Sequence, residues 1–415
     1  MSNLQGRLTA LSPEQRELLE KRMMERGLES LMAIEEEQAA SKKELDTNAP
    51  TFIPKQKRTD AGIDLSLFFF SGDGSIEGPD KYKLLLESAT FADQNGFAAV
   101  WTPERHFEDF GGLYPNPSVL SAALAMTTER LELRAGSVVL PLHHPIRFAE
   151  EWSVVDNLSG GRVSVAFATG WHPADFLLAS NQIPEYYANR KQGMLQNIEL
   201  VQRLWNGEEV PFTDANGVVH TVRTLPRPLR QPLDIWIATN GNPDTFREAA
   251  KIGANILTGI TGAKFAEMEA NIDMYRQTLK QYGFDPDSKK VALMLHTCLG
   301  QSDAEVKAKV KEPLQAYLKT FIRQQRNLIS EYSDLSAADF DSIVSRAFEL
   351  YFDESALLGT PDKCEKLIRT YRDIGIGDIA CLIDFGLDHE TVMNSLTLLA
   401  ELNRQFSLER ERVYV

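Results

Sequence analysis

A carboxylate, a guanidinium and an imidazole stand together at Glu104, Arg105 and His106, inside the stretch VWTPERHFEDFGGLYPNP at 100–117. Glu104 with His106 is an acid/base pair of the kind that moves protons at a reacting centre. Arg105 has two readings: a cation for developing negative charge, or a plain ion-pair partner for Glu104. Further on, TNGNPDTFREAAKIG (239–253) sets Asn240, Gly241 and Asn242 ahead of Pro243, Asp244 and Thr245. A Gly-containing turn entering a helix offers N–H groups and the positive end of the helix dipole, which bind anions, and Thr245 adds a hydroxyl. The competing reading is capping of that helix by Asn242 or Asp244. Asp244 repels a phosphate unless its side chain turns to the cap.

Other chemistry-bearing residues are more scattered. ATGWHPADF (168–176) brings Ala168, Thr169, Gly170, Trp171 and His172, and LELRAGSVVLPLHHP (131–145) brings Gly136, Ser137, His143 and His144. A lone histidine is more often a hydrogen-bonded structural residue than a catalyst. His143 and His144 have no partner carboxylate at ligand spacing, so no metal is read from them. Trp101 and Trp171 read as packing residues. No G-x-G-x-x-G follows the first strand, and SGDGSIEG (71–78) lacks both the spacing and the lysine of a phosphate loop. A chain-borne nicotinamide site is therefore not visible.

These residues need a frame that gathers them. From Ile63 onward, apolar strand patterns alternate with helical ones: IDLSLFFF, FAAVWT, LELRAGSVVL, RVSVAFATG, DIWIATN, ANILTG, KVALMLHTCLG and DIACLIDFG. Helical stretches lie between them, for example 80–94, 145–158 and 242–252. Eight strands, several of them nearly all apolar, predict a parallel sheet covered by helices. Eight also closes a (β/α)₈ barrel, in preference to an open doubly wound sheet. In a barrel the chemistry sits at the C-terminal strand ends, where every residue named above falls. Residues 207–233 read as a hairpin with a Pro-rich return, and 302–356 as helices inserted before the last strand.

Composition bounds the rest. The chain has 415 residues and a formal charge of -15, from 44 basic and 59 acidic residues, which disfavours a nucleic-acid backbone or an anionic membrane as partner. Three scattered cysteines give neither a disulfide framework nor a metal spacing, and no apolar run reaches spanning length. A cytoplasmic setting is expected. Residues 1–57 stand apart from the barrel region at 58–415. LSPEQRELLEKRMMERG opens with Ser12 as an N-cap and Pro13 in the first turn, and a Pro-containing linker follows. This extension reads either as a lightly docked tail or as a helix that docks a partner.

Taken together, these segments resemble the bacterial luciferase-like monooxygenase family. The resemblance runs from about 62 to 405. It is carried by VWTPERHFEDFGGLYPNP, by VVLPLHHPIRFAEEWSVVDNLSGGRVSVAFATGWHPADF, and by LGTPDKC with GIGDIACLIDFG. It implies a (β/α)₈ barrel that binds reduced FMN at its C-terminal face and activates O₂ as a flavin C4a-peroxide. By this likeness Arg190 and Thr245, with Asn240, Gly241 and Asn242 beside them, would meet the FMN phosphate. Gly136-Ser137 would form a non-prolyl cis peptide under the flavin ring. Three departures stand out: Arg105 where a luciferase has its catalytic histidine, Ala168 for a reactive cysteine, and Thr169 for a phosphate-binding arginine. Light emission is therefore not expected.

The pairing of PERHF with ATGWHPADF is similar to the subgroup found with nonribosomal peptide and polyketide assembly lines, and the N-terminal segment resembles the helical linkers of those megasynthases. The expectation is a monooxygenase that hydroxylates an acyl or aminoacyl intermediate held on a carrier protein, or less readily inserts oxygen beside a carbonyl. A separate flavin reductase would supply FMNH₂, and the enzyme would form a homodimer. Glu104, Arg105, His106 and His172 would line the substrate side, with His106 first choice for proton transfer. The alternatives are an F420-dependent hydride-transfer enzyme of the same fold, a metal-free hydrolase using Glu104 and His106, and a silent docking subunit.

Overall fold

A computed structural model describes residues 62–70, 80–179, 184–259, 265–326 and 337–413. The expected N-terminal extension (1–57) and the glycine-rich 71–78 lie outside these. In chain order the elements are β1 (Asp64–Phe68), α1 (Lys83–Gln94), β2 (Ala99–Thr102), α2 (Pro117–Ala125), β3 (Glu132–Val139), α3 (Pro145–Ser159) and β4 (Val163–Ala168). Next come α4 (Pro184–Ala188), α5 (Arg190–Trp205), β5 (Val210–Thr213), β6 (Val219–Val222), β7 (Asp234–Thr239), α6 (Pro243–Lys251), β8 (Asn255–Gly259) and α7 (Phe265–Gln281). The chain ends with β9 (Val291–Leu299), α8 (Asp303–Arg326), α9 (Ala337–Leu350), β10 (Leu357–Gly359), α10 (Pro361–Asp373), β11 (Asp378–Leu382) and α11 (His389–Val413).

The eight expected strands form the order β9-β11-β1-β2-β3-β4-β7-β8, and β8 pairs back onto β9, so the parallel sheet closes into a barrel. Alternation along each strand makes two cores. Leu65, Leu67, Val100, Val165 and Ile379 face outward into the ring of helices. Phe68, Trp101, Ala166, Trp236 and Ala380 fill the interior. Helix starts are set locally. Pro117, Pro145, Pro243 and Pro361 each stand in a first turn, where a missing N–H costs nothing, and Asn116 accepts from the Ser118 and Val119 amides to cap α2.

Two features depart from simple alternation. Between α5 and β7, β5 and β6 make an antiparallel hairpin, followed by cis peptides at Leu225-Pro226 and Gln231-Pro232. After β9, α8 and α9 send Val306, Val310, Leu314, Tyr317 and Phe348 into the interior core. The Tyr317 ring lies 4.8 Å from Phe110 in the loop after β2 and 4.7 Å from His296 on β9. Thus α8 roofs the C-terminal mouth. The three-residue β10 pairs with the end of β9 and has no counterpart in the sequence reading, because so short a run shows no period. Among the described residues no helix is long and apolar enough to cross a membrane.

Candidate active site

Glu104 leaves β2 and turns its carboxylate toward β3. There Oε2 accepts the Val139 amide at 2.7 Å, and Oε1 meets His143 Nε2 at 2.7 Å and His106 Nε2 at 3.0 Å. Both oxygens are occupied, so Glu104 is a holder of imidazoles rather than a mobile base. Burial works against its charge, but His143 and the hydrogen bonds from His106, His143 and Val139 outweigh burial and hold it below the usual carboxylate range. His143 is displaced the other way: burial would lower it, and the Glu104 carboxylate raises it. The sequence left His143 without a carboxylate. Its partner lies 39 residues upstream and comes beside it only because β2 and β3 are neighbours.

Arg105 does not pair with Glu104. Its guanidinium reaches Asp175, in the turn after β4, with Nη1 donating at 2.5 Å, and it lies 5.2 Å from the centre of the Trp171 ring. Trp171 therefore faces the site rather than only packing. Asp175 escaped the sequence reading. Its signal was its place six residues beyond Thr169 in the same loop, among otherwise apolar neighbours. Burial raises the Asp175 carboxyl, with Arg105 and His172 pulling against that. His172 stands 4.0 Å from Asp175 and is lowered by burial and then by Arg105, so it is neutral near pH 7. After His106, Phe107 adopts φ 62 with its side chain exposed, a conformation unusual for a bulky residue.

The Gly136-Ser137 peptide is cis, and the β3–β4 register slips there, leaving Ser137 unmatched between Gly136 and Val138. A Cβ on Gly136 would sit 2.9 Å from Phe68 and 3.0 Å from Trp101, so only glycine lets β3 lie on the interior rings. Ala168 and Thr169, half-buried, end β4 beside it. Arg190 opens α5. Its Nε donates to the Gly170 carbonyl at 2.8 Å, its Nη1 to Tyr187 at 3.0 Å, and it stacks on the Tyr187 ring at 4.3 Å.

β7 is the strand next to β4, so the start of α6 lies at the neighbouring strand end. There Asn242 caps the helix, taking the Asp244 amide at 2.8 Å and the Thr245 amide at 3.4 Å. The capping reading of Asn242 thus holds, while Asp244 pairs with Arg247 instead of capping. Asn240 is exposed, and Gly241 has φ 94, open to glycine at no cost.

The structure therefore gathers Glu104, Arg105, His106 and His172 with Gly136 and Ser137 around the β2–β4 ends. Arg190 and Asn240 to Thr245 lie around the β4–β7 ends. The mouth carries buried polar atoms without partners: Thr102 Oγ1, Arg105 Nε and Nη2, His172 Nδ1 and His296 Nε2. No group of three metal-ligating residues forms among the described residues. A surface hollow of about 320 Å³ near Arg203 and Pro232 holds none of the site residues.

Comparison with known proteins bears on the family and the fold. The sequence profile of the family described as luciferase-like monooxygenase matches residues 63–378. The flavin-dependent trigonelline monooxygenase, oxygenase component, of Acinetobacter baylyi is 26% identical, over 76% of this chain and 87% of its own. The 4-hydroxyprotoasukamycin monooxygenase of Streptomyces nodosus subsp. asukaensis is 24% identical, over 76% and 84%. The oxygenating constituent of 3,6-diketocamphane monooxygenase from Pseudomonas putida, solved with FMN, superposes with TM-score 0.69 at 18% identity, over 83% of this chain and 98% of that one. An F420-dependent secondary alcohol dehydrogenase shares the fold as well, with TM-score 0.58 at 14% identity, over 80% and 98%.

Proposed function

This chain belongs to the luciferase-like monooxygenase family, and from that premise we infer that it is a flavin-dependent monooxygenase whose barrel mouth holds reduced FMN delivered by a separate reductase. The observation that carries the reading is the group of unpartnered buried polar atoms at the C-terminal mouth, Arg105 Nε and Nη2, His172 Nδ1 and His296 Nε2, whereas buried Arg134 at the other end of the barrel has every nitrogen bonded. Such atoms are costly unless a ligand meets them. The residues fit a flavin. Gly136 lets β3 lie close on Phe68 and Trp101, and the Gly136-Ser137 backbone would border the flavin ring, with Ala168 and Thr169 beside it. Arg190, Thr245 and the Asn240-Gly241 turn would take the phosphate, because Asn242 already occupies two amides of α6. Reduced FMN supplies the electrons that split O₂, with one oxygen entering the substrate and the other leaving as water.

The chain's own residues then divide the work. Glu104, ionised, accepts from His106 Nε2–H and so fixes that tautomer, leaving His106 Nδ1 as the atom that takes a proton from the substrate side. His143 balances the Glu104 charge. Arg105, Trp171 and His172 line the opposite wall, and α8 excludes water from above. The substrate we favour is an acyl or aminoacyl group presented by a carrier protein, which undergoes hydroxylation. The sequence resemblance to assembly-line enzymes supports it.

Binding of photoreduced FMN, followed anaerobically by fluorescence, tests the flavin reading. Wild type should bind, and Arg190→Ala should weaken binding about 10-fold, the worth of one charge-assisted contact. Tight binding of reduced F420 with none of reduced FMN would overturn it in favour of hydride transfer.

A further inference from the structure

Arg105 is 1% exposed, yet one of its three nitrogens does all the bonding. Nη1 donates to Asp175 at 2.5 Å and to the His106 carbonyl at 3.1 Å. Nε and Nη2 are buried and have no hydrogen-bond partner. Those two nitrogens share one edge of the guanidinium, and their N–H bonds run parallel, the fork that matches both oxygens of a carboxylate. An arginine placed only to hold Asp175 would give it that edge. Instead Asp175 receives a single contact from the opposite corner, and the two-donor edge is kept apart.

The rest of the side chain is fixed so that this edge cannot turn away. Trp171 lies against the guanidinium at 5.2 Å. The Arg105 amide donates to the Tyr114 carbonyl at 3.1 Å. A Cβ on Gly111 would come within 2.9 Å of the Arg105 Cβ and Cγ, so the loop presses on the stem. Running from β2 to the loop after β4, the side chain crosses the end of β3, which carries Gly136 and Ser137. The guanidinium thus belongs to the same β2–β4 strand ends as the surface assigned above to the flavin.

We propose that Arg105 is a substrate-recognition residue whose Nε–Nη2 edge takes a carboxylate, so that this enzyme acts on an acid rather than on a neutral aldehyde, ketone or amide. The assignment rests on the reading of the mouth as the flavin and substrate site. It holds for a free acid and for an acyl group that keeps a second carboxylate while tethered through a thioester.

Binding to the full chain, without turnover, decides it. Isothermal titration would compare benzoate with benzamide, and the pantetheine thioester of succinate with that of succinamate. In at least one pair the acid should bind about 10- to 100-fold tighter than its neutral isostere. Preference in the first pair points to a free acid, and in the second to a tethered one. Arg105→Met should abolish the preference, and Arg105→Lys, charged but without the fork, should keep only part of it. Near-UV circular dichroism identifies any variant that has misfolded, and Arg105→Lys then carries the test. No acid preference in either pair, or a preference that Arg105→Lys leaves whole, overturns the proposal. Reduced-FMN binding measured on the same samples separates this outcome from failure of the flavin reading, since Arg105 variants should still bind the cofactor.

Discussion

Arg105 at the mouth of the barrel and Arg134 near its floor are alike in nearly every respect but one. Both are buried, at 1% and 3% exposure, both lie against tryptophan rings, and both pair with a buried aspartate. Arg134 is complete. Nη1 donates to Asp378 at 2.7 Å, Nε to Glu132 at 2.9 Å, Nη2 lies 2.8 Å from Glu132, and Trp101 and Trp236 flank it at 4.9 and 4.8 Å. Its neighbours are complete as well: Ser66 bridges Asp378 and Trp101, and Asp234 receives Trp236. Arg105 leaves two nitrogens bare. A fully bonded buried cation holds a barrel together, while an unfinished one waits for something from outside.

Stability is where the two should differ most. Removing one partner of a buried ion pair costs about 3–5 kcal/mol, because the other is stranded. Arg134→Met strands Asp378 and part of Glu132 and should cost that much in urea unfolding. Arg105→Met removes contact with one carboxylate, Asp175, where Arg134→Met removes contacts with two, and should cost about 1–2 kcal/mol. Equal losses would break the contrast, since Arg105 would then be structural.

Between floor and mouth, Gly136 should show how closely the two are packed. Gly136→Ala brings a methyl to 2.9 Å from Phe68 and 3.0 Å from Trp101, and overpacking of this kind costs about 1–3 kcal/mol. Because Trp101 also lies against Arg134 while Gly136 borders the proposed flavin surface, the variant should lose thermal stability and reduced-FMN affinity together. Loss of stability alone would remove Gly136 from the cofactor site.

What the sequence made legible follows from the same contrast. The barrel could be read because each strand is buried on both faces and so is apolar almost throughout. The residues at the strand ends could be read because ionisable groups break those runs. Pairings across strands could not. His143 and Glu104, or Arg105 and Asp175, are joined by the order of strands in the sheet, which no local period encodes. Arg134 passed unremarked inside an apolar strand because a lone charge there carries no mark of its partners.

The smallest expected effect separates the two ends by pH. Glu104 is held below its ordinary 4.5, so its contribution to stability is present above that value and is lost as pH falls through the lowered one. His143 is raised above its ordinary 6.5, so its contribution is present below 6.5 and is lost as pH rises through the raised value. The mouth pair should therefore stabilise the fold fully between pH 4.5 and 6.5 and less on either side. Arg134 at the floor is held charged throughout, because Asp378 and Glu132 overcome the burial that opposes its charge. Melting curves of wild type and Glu104→Gln across pH should differ by about 2 °C inside that window, with the gap closing as pH rises through the raised His143 value. An Arg134→Met variant should keep that same pH-dependent gap when Glu104→Gln is added to it. A gap that does not change with pH would mean that Glu104 and His143 meet as neutral hydrogen-bonding groups, and the mouth would then resemble the floor in holding no titrating pair.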